Sequence, residues 1–242
     1  MPTTSRASRT TPTPRQLGAA VRGAAADLSG DEADLLAEVL WEDVTSEYDA
    51  RFLAAELAPR RAGWSPAMRR AQAAWERDEL SHHLGFRAAY EAAFPGRREV
   101  DADLAARRPD FTRLAPLLED ELRLAALCAY DEFATVRVFR HYLPLYARLG
   151  PELVAFVRSA IADEARHYAS FLAVLRDEHA ERLKELPAIL AEIRACEGQP
   201  YAATFLLDHD DPVFGPALLA SAEQALLRHA RRPGLPRPAL RG

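Results

Sequence analysis

Asp78-Glu79-Leu80-Ser81-His82 and Asp163-Glu164-Ala165-Arg166-His167 are two copies of one pattern, and their reading decides the fold. Each copy lies in a long run of helical periodicity. Residues three apart on a helix project from one face, so Glu79 with His82, and Glu164 with His167, can each grip a single cation. At the same 32-residue interval upstream stands another glutamate, Glu47 before Glu79 and Glu132 before Glu164. Four carboxylates and two imidazoles on four helices make the ligand set of a two-metal carboxylate site inside a helical bundle. A lone Glu-x-x-His on a helix is usually a surface pair. The repetition at equal spacing sets these apart.

The rest of the 242-residue chain agrees with an all-α fold. Glycine is scarce, Ala, Leu, Arg and Glu abound, and no stretch alternates Val, Ile or Thr in the manner of a strand. The net charge is -5, with arginines interleaved among acids along the helical runs, which reads as solvated helix faces and not as a basic stripe for nucleic acid. Cys128 and Cys196 stand alone in apolar surroundings, without the spacing of a disulfide framework or a zinc site. No apolar run approaches the length of a membrane span, and the N-terminus lacks the apolar core of a secretion signal, so a soluble cytoplasmic protein is expected.

In order, residues 1–13 and 231–242 are rich in Ser, Thr, Pro and Arg, and disordered tails are expected there, flanking one helical domain over 14–230. The pattern predicts a short helix over 15–28 and a first bundle helix over 31–58, opened by a Ser29/Glu32 capping box. A second follows over 66–94 behind Ser65-Pro66. Residues 97–111 read as irregular with a turn of helix. The third bundle helix is expected over 116–149 and the fourth, opened by Gly150-Pro151, as far as 176. Further helices are expected over 177–195, interrupted at Pro187, and over 214–231, with a loop at 208–211 between them. The four-helix core is thus about 31–176, with additional N- and C-terminal helices. The two helix pairs repeat one another.

The candidate ligands sit on apolar stripes: Trp75, Glu79, His82, Phe86 on one helix, Val157, Ile161, Glu164, His167, Phe171 on another, and Ala125, Cys128, Glu132, Thr135, Phe139 on a third. A buried carboxylate without a partner is unfavourable, and a pair of metal ions supplies the missing positive charge. On the first helix Glu38, Glu42 and Glu47 compete. Stepping about 100° per residue puts Glu47 among Leu36, Leu40, Val44 and Ala54, whereas Glu38 and Glu42 fall with Asp49 and Glu56 on a charged side, so Glu47 is preferred and Glu42 is the alternative. His83, one turn from Glu79, competes with His82, but the second copy has Tyr168 in its place. A metal-binding His usually gives its other ring N–H to a carboxylate, and across the pseudo-twofold axis Asp78 suits His167 and Asp163 suits His82.

These residues resemble the ferritin-like diiron-carboxylate superfamily over about residues 31–176. Within it the soluble acyl carrier protein desaturases are the nearest in pattern: Trp75 to His82 resembles their Trp-x-x-Glu-Glu-x-x-His, Glu132-Phe133-Ala134-Thr135 their Glu-x-Ala-Thr, and Ala162 to His167 their Ala-Asp-Glu-x-Arg-His. The resemblance implies a ferritin-like four-helix bundle with two Fe ions, Mn being an alternative, held by Glu47, Glu79, His82, Glu132, Glu164 and His167. It favours Glu42 over Glu47 by its spacing to Tyr48. Thr135 matches the family's threonine beside the site of dioxygen activation and is the candidate catalytic residue. The expected activity is an oxygen-dependent oxidation (desaturation, hydroxylation or N-oxygenation) of a small or acyl-carrier-bound substrate. Electrons would come from an external ferredoxin or reductase, since the chain has no flavin or nicotinamide motif, and the assembly considered is a homodimer. The other reading is iron storage with ferroxidase action, or peroxide detoxification. Phe86 stands where a ribonucleotide reductase subunit carries its radical tyrosine, which disfavours radical storage.

Overall fold

The computed structural model of the protein describes residues 11–197, 206–207 and 215–231. The described residues form an all-α bundle of nine α-helices with no strand. In chain order these are α1 (Pro14–Val21), α2 (Gly30–Leu57), α3 (Pro66–Ala93), α4 (Val100–Ala106), α5 (Ala115–Leu118), α6 (Glu121–Tyr146), α7 (Pro151–Glu178), α8 (Leu186–Cys196) and α9 (Pro216–Ala230).

Local chemistry accounts for most of the boundaries. Ser29 and Glu32 close a reciprocal capping box at the start of α2. Ser65 caps α3 and Pro66 occupies its first turn. Gly150, at φ 113°, turns the chain into Pro151 and α7. The expected first helix is shorter than its pattern, because the chain turns at Gly23 (φ 77°) and continues as a 3-10 turn over Ala24–Asp27. The expected 116–149 helix is divided. Asp120 is extended and its side chain accepts from the Arg123 amide, so α6 starts there and α5 stands apart. Pro187 does not interrupt a helix; it lies in the first turn of α8, where a missing N–H leaves nothing unpaired. The irregular 97–111 segment contains α4.

Helix α2 packs on α3 and α6 on α7, and α3 against α7 joins the two hairpins. That junction is close because Gly85 has no Cβ: the Phe156 ring occupies the space where one would be. Helix α1 lies across α3, with Gly18 against the Ala88 carbonyl, and touches α7. Helices α8 and α9 cover α6. Two residues of the expected N-terminal tail belong to the folded body, since Thr11 Oγ1 lies 2.8 Å from Ser159 Oγ and Thr13 caps α1. At the other end Arg231 caps α9. Residues 1–10, 232–242 and the expected 208–211 loop lie outside the described residues. No helix among the described residues is long and apolar enough to cross a membrane.

The apolar core falls into two clusters. One contains Leu36, Leu40, Val44, Phe86, Phe139 and Val157, the other Leu53, Leu57, Trp75, Leu122, Ala125 and Phe171. Along every long helix the candidate ligands lie at the change from one to the other. The site is therefore a polar layer sandwiched between two apolar ones.

Candidate metal centre

Each long helix contributes one acidic ligand position to that layer, and α3 and α7 add a histidine one turn on. All six side chains are buried, Glu164 to 1%. Their donor atoms form two overlapping groups: Glu47, Glu79, His82 and Glu164 in one, Glu79, Glu132, Glu164 and His167 in the other, with the atoms of each group within 4.8 Å of one another. Glu79 and Glu164 belong to both. Both imidazoles present Nδ1 inward. His82 Nδ1 lies 3.0 Å from Glu164 and 3.5 Å from Glu47, and His167 Nδ1 lies 2.8 Å from Glu164, 3.4 Å from Glu79 and 3.5 Å from Glu132.

The outer ring nitrogens find the aspartates across the pseudo-twofold axis. His82 Nε2 is 3.3 Å from Asp163 and His167 Nε2 is 3.2 Å from Asp78. Arg166 pairs with Asp163 and reaches Asp78 at 3.8 Å, while Arg77 also pairs with Asp78. Each ring is thereby held with Nε2 outward, leaving Nδ1 for the centre.

On α2 the two competing glutamates separate. Glu47 is buried in the cluster and Glu42 is exposed. Asp49, assigned to the charged side by periodicity, is fully buried, because Arg107 follows α4 back over α2 and holds its carboxylate through Nε at 2.7 Å. His83 turns away from the centre, its Nδ1 3.0 Å from the Val44 carbonyl and its ring 5.1 Å from that of Tyr48. Thr135 is half-buried, and its hydroxyl donates to the Asp131 carbonyl at 3.2 Å. That is the back-bond of a helix threonine, and it leaves the hydroxyl proton turned from the ligands.

Electrostatics in the layer follow from the crowding. Burial pushes the Glu79 and Glu132 carboxyls well above the usual range, and neighbouring carboxylates push further. Burial disfavours charge on the histidines, yet Glu164 and Glu47 carry His82 well up, and Glu132 with Asp78 carries His167 up to about 11. Burial alone would raise Glu164 too, but the two imidazoles hold it well below the ordinary value. Protons thus supply the positive charge that four buried carboxylates need. Even so, Glu47 Oε2, Glu79 Oε1, His82 Nδ1 and Glu164 Oε1 are buried without a well-aligned hydrogen bond, meeting only ion-pair contacts of 3.0 to 3.5 Å within the layer. Buried polar atoms rarely go unpaired, and here four of them converge on one layer. Metal ions fit this donor set: carboxylate oxygen and imidazole nitrogen suit iron or manganese. Cys128, a turn before Glu132, adds no thiolate, since burial pushes its thiol well up.

Two contacts have no counterpart in the periodicity. Asp43, one turn before Glu47, accepts a 2.7 Å hydrogen bond from Tyr146 at the far end of α6. Tyr168, one residue past His167, lies 2.7 Å from His229 Nδ1 on α9. The place of Asp43 one turn from a ligand was a usable signal. Nothing in the sequence pairs it with Tyr146. Compared with protein-family models, curated proteins and solved structures, the chain matches none.

Proposed function

We propose that the chain is a dimetal oxidoreductase of the ferritin-like diiron-carboxylate type, acting on a small or carrier-bound substrate with dioxygen. The observation that supports it most is the overlap of the two candidate ligand groups at Glu79 and Glu164, each with a buried carboxylate oxygen that makes no well-aligned hydrogen bond. Glu47, Glu79, His82 and Glu164 would hold one ion, and Glu79, Glu132, Glu164 and His167 a second. A pair of iron ions in such a site supplies a means of reducing dioxygen while a substrate C–H or N–H bond is oxidised. Asp78 and Asp163 fix both ring tautomers, and the apolar layers on either side, with Trp75, Phe86 and Phe171 nearest, exclude water.

The commitment of the Thr135 hydroxyl to Asp131 favours keeping a second reading, iron storage or peroxide removal by the same six ligands, since that contact removes the one side chain specific to an oxygenase. Metal analysis tests both: about two Fe or Mn per chain is expected, and one tightly held zinc with no second metal would sink them. Anaerobic Fe(II) loading and oxygen exposure, with acyl and amine candidates followed by mass spectrometry, separates them. Oxidised product supports the oxygenase, whereas a cage on a sizing column with mineralised iron supports storage.

A further inference from the structure

We infer that Gln72 is the polar anchor of a substrate site inside the apolar layer of Trp75 and Phe171, and that the molecule held there is uncharged and largely apolar with one hydrogen-bonding group, an amide or a hydroxyl; this rests on the oxidoreductase reading above. Met68, Gln72, Trp75 and Glu79 follow one another along α3 at steps of four and three, so they share the face that carries the ligands. Gln72 is only 2% exposed. Its Oε1 is fully enclosed and accepts no hydrogen bond, and its carboxamide makes none among the described residues. Buried polar groups are nearly always paired, because leaving one unpaired forfeits the hydrogen bonds it had in water.

The internal repeat shows that the fold does not require this amide. The register that sets Glu79 against Glu164 and His82 against His167 sets Gln72 against Val157, which is buried and apolar. An apolar side chain serves at that place in the other half, so what the carboxamide lacks is a partner from outside the chain. The surroundings define that partner. One turn from the centre α2 and α6 offer Ala50 and Cys128 to this layer, where they offer Asp43 and Thr135 to the other, and a turn further out Ala125 replaces Leu40. The side of the bundle between α2 and α6 is also its least tightly packed, and there a guest molecule displaces least. No arginine or lysine is buried among the described residues, so nothing compensates a carboxylate or a phosphate. An ammonium would exchange its hydration for a neutral amide. An amide or a hydroxyl gives Oε1 the donor it lacks and accepts from Nε2. Gln72 stands seven residues before Glu79, about 10 Å along the helix, so it holds one end of the molecule while the rest reaches past Trp75 to the centre.

Hexanamide, hexan-1-ol, hexanoate, hexylamine and 1-chlorohexane are titrated into the full chain, wild type and Gln72→Met, metal-free and iron-loaded. Binding is followed by ligand-observed NMR and melting by circular dichroism. Methionine keeps the length of the side chain and removes its strong donor and acceptor. Hexanamide and hexanol are expected to bind wild type, with hexanoate and hexylamine weaker by about tenfold or more. In Gln72→Met hexanamide should weaken by about tenfold or more, 1-chlorohexane should bind as before, and the protein should melt no lower than wild type. A Gln72→Met chain that unfolds or melts lower overturns the inference, since the amide would then be satisfied within the fold. So do equal hexanamide affinities in the two proteins, hexanoate or hexylamine bound as tightly as hexanamide, or no binding of either neutral probe. Failure of the oxidoreductase reading shows separately, as a chain that takes up no iron, whereas failure of the site shows as missing or Gln72-independent binding in a chain that has taken iron up.

Discussion

The two halves of the bundle carry the same candidate ligands in different surroundings. Glu47, Glu79 and His82 on α2 and α3 match Glu132, Glu164 and His167 on α6 and α7 in spacing, burial and the inward turn of Nδ1. One turn before the first acid, however, stands Asp43 in one half and Cys128 in the other. One turn past the acid shared by both groups stands His83, bonded to a main-chain carbonyl of α2, or Tyr168, bonded to α9. Ser81 occupies the place where the second half has Arg166, which reaches the aspartates of both halves. The likeness stops at the atoms that face the centre. Ligand positions answer to the geometry of a shared polar layer, while the next shell answers to whichever helix happens to cover each half, α4 and α1 on one side, α8 and α9 on the other.

The sharpest way to break this symmetry is to remove one carboxylate at a time. Glu164→Ala or Glu79→Ala strikes both ligand groups and should reduce metal content from about two ions to near none. Glu47→Ala or Glu132→Ala strikes one group and should leave about one ion. Glu42→Ala should change nothing, its side chain being exposed. Metal analysis of the purified variants decides the matter, and loss of metal in Glu42→Ala with retention in Glu47→Ala would reverse the assignment on α2. Metal-free Glu79→Ala should remain helical and be no less stable than the metal-free parent, because one buried carboxylate fewer relieves repulsion in the layer, whereas Glu164→Ala should be less stable, because it takes the shared carboxylate from both imidazoles.

Counting protons sharpens the comparison further. Without metal, His167 is raised to about 11 and His82 well above its ordinary value, so the stability they contribute is complete below about pH 6.5 and is lost as pH rises through the folded values. Glu79 and Glu132 are raised as well, and their contribution also fades as pH rises above the ordinary carboxyl range. Glu164 has the opposite sign: its contribution is present above the ordinary carboxyl range and is lost as pH falls below it, outside the alkaline window. The melting temperature of the metal-free protein should therefore fall between pH 7 and pH 11. The loaded protein, in which metal replaces those protons, should fall much less, and its metal uptake should release protons in a pH-stat. A metal-free protein that is more stable at pH 10 than at pH 7 would show that the histidines are not held as cations.

Much of this arrangement was legible in the chain. The bundle helices announce themselves by Ser29 with Glu32, Ser65-Pro66 and Gly150-Pro151, because caps act within a few residues. The six candidate ligands were readable since each helix repeats the same interval, and the crossed Asp–His pairs followed from the twofold relation. What escaped depends on contacts between distant segments. Asp49 looks like a surface acid until Arg107 arrives from beyond α4. Asp43 meets Tyr146, and Tyr168 meets His229, across intervals that no local period encodes. The break before α6 turned on whether Asp120 would cap or continue a helix, a choice its neighbours in sequence leave open.

The smallest effect is expected at Thr135, whose counterpart in the first half is Ala50. Family likeness assigns its hydroxyl to oxygen chemistry, and the structure bonds that hydroxyl to Asp131. Valine keeps the branched shape and removes only the hydroxyl, so Thr135→Val isolates the question. If the back-bond is the whole of its role, stability should change by no more than ~0.5 kcal/mol, with metal content, oxygen consumption and product yield all at the wild-type level. Positioned proton donors contribute at least ~10²-fold, so a catalytic hydroxyl would show itself as a loss of that size, with hydrogen peroxide released in place of product. Peroxide release at full metal content would mean that the hydroxyl rotates inward when the site is loaded, and that the second half carries a group for which Ala50 offers no substitute. Unchanged coupling would leave the two halves chemically equivalent at this position and would shift weight toward the iron-handling reading.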